Sequence, residues 1–196
     1  PNDTVHYTLI LDTPDPGVVV FEVGTDTSFQ VPDPLMDNTQ YFWQVIAEEL
    51  LGFQTVSEGG YQTFYINLSN DPPSSFEILS PNQNSIQTDL SPNFSWTTAV
   101  DPDPLDSVEY HLTIDGPPTD TYPWSFTVNT YETHFTPDFS LDDNTTFFCM
   151  VNANDIYGET VFAVEVVFHT DSIPEPPMNF ATVAPENEVE GIATEV

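Results

Sequence analysis

The sequence predicts an all-β protein, and three observations carry that prediction. Two stretches alternate, the second of them strictly: Val5, Tyr7, Leu9 and Leu11 against His6 and Thr8, then Val108, Tyr110, Leu112 and Ile114 against Glu109, His111 and Thr113. This is the period of a half-buried strand, whose side chains point to opposite faces in turn. The 19 prolines and many Asn, Asp, Ser and Thr residues cut the chain into short apolar runs, which is turn chemistry. No stretch keeps a helical period for three turns. With 39% hydrophobic residues, 15 Phe and 8 Tyr, the chain fills real cores and is no disordered acidic tail.

Taken in order, the elements recur. The first alternating strand at residues 5–11 returns as residues 108–114. Phe29 through Asp37-Asn38-Thr39 and the run Tyr41–Ala47 match Phe135 through Asp143-Asn144-Thr145 and the run Phe147–Ala153. Phe64 answers to Phe168, and Pro72-Pro73-Ser74-Ser75-Phe76 answers to Pro176-Pro177-Met178-Asn179-Phe180. A period of about 104 residues with preserved internal order reads as tandem domains of sandwich size. Phe94–Trp96 is a short strand ahead of the second alternating one. Between them lies Asp101-Pro102-Asp103-Pro104-Leu105-Asp106, where two prolines remove donors and forbid helix while three carboxylates crowd together.

These residues carry a resemblance. Leu35-x-Asp-Asn-Thr-x-Tyr41-x-Trp43-x-Val45 resembles the E-to-F corner of a fibronectin type III or related Ig-like domain, and Ser91-Pro92-x-Phe94-x-Trp96 resembles its B strand. The resemblance implies tandem Ig-like/fibronectin III-like antiparallel β-sandwiches. It also implies a corner hydrogen bond at the Tyr41 hydroxyl that the second unit, with Phe147 there, lacks. On this pattern residues 1–70 are a unit without its first strands, 71–172 a complete unit, and 173–196 a linker with the first-strand segment of a further one. Two explanations of the open first unit stand side by side: a piece of a longer array, or an assembly in which another chain completes the sandwich.

Charge narrows function. Asp and Glu total 32 while Lys and Arg total 0, where an ordinary chain of this length carries roughly two dozen basic residues. Such a surface repels phosphate and anionic lipid, so nucleic acid is excluded as a partner, and no apolar run is long enough for membrane insertion. Cations gather around it, which reads as salt adaptation and solubility or as dependence on divalent metal. Trypsin-type proteases find no site. The single cysteine, Cys149, permits no internal disulfide and sits at a core position.

The resemblance gathers the B-C and F-G loops at the end where the N-terminal linker enters. That brings Asp101, Asp103 and Asp106 to Asp155 and Asn154 of the F-G turn and to Asp71 and Asn70 of the linker. Hard oxygens converging from three segments suit Ca²⁺, the expected cofactor. No other cofactor is expected. A second acidic group, Asp138, Asp142 and Asp143, reads as an Asx-type turn ahead of strand F. His6, His111, His134 and His169 sit singly on strands, without metal spacing.

Tyr122 and Trp124, with Phe126, form an aromatic run that could stack on sugar rings; Asn2, Asn67 and Asn144 are glycosylation sequons, and a fourth at Asn93 falls in a strand. Outward Phe42, Ile46, Phe148 and Met150 mark a sheet face for a neighbouring chain. No nucleophile-elbow, P-loop or dinucleotide motif appears, so no enzyme is expected. The resulting expectation is an extracellular or cell-surface structural and adhesive repeat, part of a surface layer, stalk or filament, with neighbouring repeats or copies of itself as partners. Its rival is a carbohydrate-binding or spacer module of a larger secreted enzyme, with a glycan as partner.

Overall fold

The computed structural model describes residues 4–14, 17–118 and 123–181 of the 196-residue chain. All regular structure among the described residues is β-strand. The chain opens with β1 (Val5–Asp12), β2 (Val18–Gly24), β3 (Thr39–Glu49), β4 (Gln54–Val56) and β5 (Gln62–Ile66). They form one antiparallel sheet of order β2-β1-β3-β4, with β5 also on β3. The alternation of β1 sets its faces: Tyr7, Leu9 and Leu11 stand across from Ala47, Val45 and Trp43 of β3.

After a linker come β6 (Ile78–Ser80), β7 (Ser85–Gln87), β8 (Phe94–Trp96), β9 (Glu109–Pro118), β10 (Pro123–Thr130), β11 (His134–Phe135), β12 (Thr145–Asn154), β13 (Thr160–Phe162) and β14 (Val166–Thr170). One sheet has the order β10-β9-β12-β14-β7, with β13 also on β12; a smaller one has the order β11-β8-β6. Pairing is antiparallel except where β7 runs parallel to β14. This is an Ig-like, fibronectin III-like sandwich. Its core is made where Phe94 and Trp96 of β8 and Phe76 ahead of β6 meet Tyr110, Leu112 and Ile114 of β9 and Phe147, Cys149, Val151 and Ala153 of β12. Each large side chain so buried contributes about 1.5–3 kcal/mol.

The first sheet repeats the larger sheet of the sandwich strand for strand: β2-β1-β3-β5 against β10-β9-β12-β14. The register agrees as well, since Tyr7 pairs Ala47 as Tyr110 pairs Ala153, and Leu9 pairs Val45 as Leu112 pairs Val151. The corner repeats too. Asn38 and Asn144 both take φ 52°, and Thr39 and Thr145 each donate a hydroxyl hydrogen bond back to the carbonyl of Asp37 or Asp143, at 2.7 and 2.8 Å. Tyr41 forms the expected corner bond, its hydroxyl accepting from Met36 N–H at 2.7 Å. At the second corner Phe147 packs instead on Phe168, ring centroids 5.6 Å apart.

The difference lies in what covers the inner face. In the sandwich Leu112, Ile114, Cys149 and Val151 are fully buried under the smaller sheet. In the first sheet only Leu11 and Tyr41 reach that state, and Tyr7, Leu9, Trp43 and Val45 stay half-exposed. Residues 25–30, the counterpart of the stretch that holds β11, are exposed and form no strand.

Candidate functional site

The loop between β8 and β9 cannot pair with a strand, because Pro102 and Pro104 offer no N–H. It folds on its own carboxylates instead. Asp101 Oδ1 accepts from Asp103 N–H at 2.9 Å and Asp106 Oδ1 from Ser107 N–H at 2.6 Å. Leu105 takes φ 71°, a left-handed conformation that branched side chains resist. The turn after β12 is held by Asp155, whose Oδ1 gathers the N–H groups of Tyr157, Gly158 and Glu159. Gly158, at φ 100°, supplies the backbone freedom this turn needs.

The linker joins these two loops. Asn70 Nδ2 donates to Asp155 Oδ2 at 2.6 Å, and Asp71 N–H donates to Asp103 Oδ2 at 2.9 Å. Ile156 N–H reaches Asp106 Oδ1 at 3.4 Å. Each carboxylate of the loop thereby uses one oxygen to hold structure. The other oxygens, Asp101 Oδ2, Asp103 Oδ1 and Asp106 Oδ2, are buried and meet no donor among the described residues.

Unpaired buried carboxylate oxygens are costly. Asp103 is only 3% exposed and Asp155 7%. Ligand oxygens of Asp101, Asp106 and Asp155 all lie within 4.8 Å of one another. Opposite ligands of Ca²⁺, at 2.3–2.6 Å from the ion, stand about 4.6–5.2 Å apart, while those of Mg²⁺ stand about 4.0–4.2 Å apart. Three carboxylates within this span are close enough to share one cation of either size.

The electrostatics agree. Burial pushes Asp101 above the ordinary carboxylate value, the Asp103 N–H offsets part of this, and the charges of Asp106, Asp103 and Asp155 push it further up. Asp155 moves the other way. Its burial raises it, but the Asn70 amide and the N–H groups of Glu159, Gly158 and Tyr157 outweigh that and hold it below the ordinary value. One carboxylate is thus favoured in its ionised form by hydrogen bonds, and the other is disfavoured chiefly by its burial and further by the neighbouring charges.

The other expected residues fall as follows. Asp71 reaches the joint through its backbone, and its carboxylate turns to Asn38, whose Nδ2 donates at 2.9 Å. Trp124 lies half-buried with Phe126 and Val128 against the core, its ring edge-on to Phe147 at 5.5 Å and to Phe139 at 6.3 Å. Its ring is spent on packing. Tyr122 and Asn2 lie outside the described residues. Asn67 is exposed after β5, and Asn144 is exposed with its amide donating to Glu175 at 2.7 Å. Asn93, expected within a strand, instead lies exposed just ahead of β8, donating to Thr136 Oγ1 at 2.8 Å. Burial pushes the Cys149 thiol up to about 12, which leaves it un-ionised and inert. His111 stands 3.0 Å from Glu109, and of the residues expected to point outward Phe42 on β3 and Phe148 and Met150 on β12 are exposed, while Ile46 is half-buried.

Sequence reasoning missed a pair of clamps. Asp143 Oδ1 accepts from Ser172 N–H at 2.7 Å and its Oδ2 from Ser172 Oγ at 3.2 Å, tying down the segment after β14. Asp37 does the same after β5, accepting from Leu68 N–H and from Ser69 Oγ. The signal was present in the repeated Asp-Asn-Thr triplet, whose aspartate a simple turn would not require twice.

No protein-family model matches this chain, and no curated protein does. Among solved structures, the chain is similar to a crystal structure of the chicken CNTN1 FN1-FN3 domains, at 14% identity and a TM-score of 0.40. The match covers 87% of this chain and 58% of that one.

Proposed function

We propose that this chain is a structural repeat of an extracellular array, part of a surface layer, stalk or filament, whose joint between successive β units is stiffened by Ca²⁺. The observation that carries this reading is the set of buried, unpaired carboxylate oxygens on Asp101, Asp103 and Asp106, next to Asp155 and tied to the linker by Asn70 and Asp71. A cation there would draw three segments into one ligand sphere, so its binding energy would act on the angle between units. The acidic surface fits a medium rich in salt or divalent metal. The rival reading, a glycan-binding module, needs an exposed aromatic platform, and Trp124 is packed against Phe139 and Phe147.

Thermal unfolding at constant ionic strength tests the proposal. Ca²⁺ at about a hundred times its dissociation constant adds about 2.7 kcal/mol, a rise of about 5–10 °C. Mg²⁺ at equal concentration is expected to do much less, and Asp106→Asn to remove most of the Ca²⁺ response while the chelated variant stays folded. Coincident curves in Ca²⁺, Mg²⁺ and chelator would sink it.

A further inference from the structure

The inner face of the first sheet is an apolar groove of about 390 Å³ along Tyr7, Leu9, Trp43, Val45 and Phe64, with Phe29 at its rim. A sheet face of this kind is buried in a stable domain. The sandwich shows what lies on the equivalent face. There Phe76, from the segment Pro72–Phe76, is 6% exposed and sets its ring edge-on to Tyr110, 5.6 Å between centroids. Tyr110 occupies in β9 the register position that Tyr7 occupies in β1.

The chain carries a second version of that segment. Pro176-Pro177-Met178-Asn179-Phe180 repeats Pro72-Pro73-Ser74-Ser75-Phe76. Its apolar side chains stand in solvent: Met178 is 91% and Phe180 87% exposed, and Ile173 is exposed ahead of them. Among the described residues the chain therefore holds an uncovered aromatic face, and an uncovered aromatic segment that repeats one part of the cover, of which the smaller sheet with Phe94 and Trp96 is the rest.

We infer that the groove of the first sheet is a docking surface for residues 173–181 of a second copy of this chain, with Phe180 seated on Tyr7 as Phe76 is seated on Tyr110. The contact is heterologous, because groove and segment are different surfaces, so joining two copies of this chain uses the groove of one and the segment of the other. Such contacts propagate as open head-to-tail chains rather than closed dimers. Charge permits it once screened, since the groove lining holds one carboxylate, Asp26, and residues 173–181 hold one, Glu175. The docking does not depend on the cation site.

The test is the mass of the 196-residue chain by sedimentation against concentration, in chelator, so that the calcium reading cannot affect it, and in about 1 M NaCl, where the Debye length falls to about 3 Å. Mass is expected to rise with concentration. Phe180→Asp, on an exposed residue that cannot unfold the sandwich, should lower the association constant at least about tenfold. Leu9→Asp should do the same from the groove side, and mixing the two variants should yield a 1:1 dimer and nothing larger. A synthetic peptide of residues 173–181 should dissolve the chains without any substitution. A monomer at every concentration overturns the inference. So does association that ignores Phe180→Asp, or a concentration-independent response, which would place the segment in its own groove.

Discussion

Gly116 of β9 shows how one residue sets the packing around it. A Cβ built there would stand 3.1 Å from Trp124 Cε3 and 3.2 Å from Phe147 Cε1. Both rings are held by further aromatic neighbours, Trp124 by Phe139 and Phe147 by Phe168, so neither can yield freely. Gly116→Ala is therefore expected to cost about 1–3 kcal/mol by overpacking. Urea unfolding should show a lower midpoint at unchanged slope, and a midpoint equal to that of the parent would mean that the rings move aside. The same contacts explain why the aromatic run was ambiguous in sequence. Alternation says that Trp124 and Phe126 share a face, but a shift of one residue in register exchanges the faces, and the pairing of Phe126 with Ile114 is decided only when β10 meets β9.

At the scale of elements, the clamps on the segments after β5 and β14 do what the linker prolines cannot. Proline restricts the backbone but gives it no partner; Asp143 supplies one to Ser172. The Ser172 N–H is the chief cause that holds Asp143 below the ordinary carboxylate value, outweighing the opposing effect of desolvation, with the Asn144 N–H and Ser172 hydroxyl adding to it. A depressed carboxylate gives its hold fully above the unfolded value of about 3.9 and loses it as pH falls through the folded one. Asp143→Ala should speed amide exchange at Ser172 while the β12 amides stay protected, and the parent protein should approach that behaviour only in acid. Equal exchange in the two proteins at neutral pH would show that other contacts hold the segment.

Over the whole molecule self-repulsion dominates, because a net charge of −32 has 0 Lys and Arg to offset it. Raising monovalent salt from about 0.1 M to about 1 M shortens the screening length from about 10 Å to about 3 Å. The melting temperature in chelator should rise over that range, and equally in sodium and potassium chloride. A flat or falling curve would show that the charges lie too far apart to matter. This general screening differs from the joint, where a specific ion should act at constant ionic strength.

The sequence by itself determined the all-β class, the strand faces, the repeated corner and the acidity of the loop before β9, because each follows from local rules: a period of two, turn residues and proline's missing donor. Tertiary structure alone decided which oxygen of each aspartate holds backbone and which is left over, since Asp71 reaches Asp103 across the linker and Asn70 reaches Asp155. It also turned Trp124 inward against Phe139 and Phe147. Burial and pairing between distant segments depend on which surfaces meet, and no local pattern carries that information.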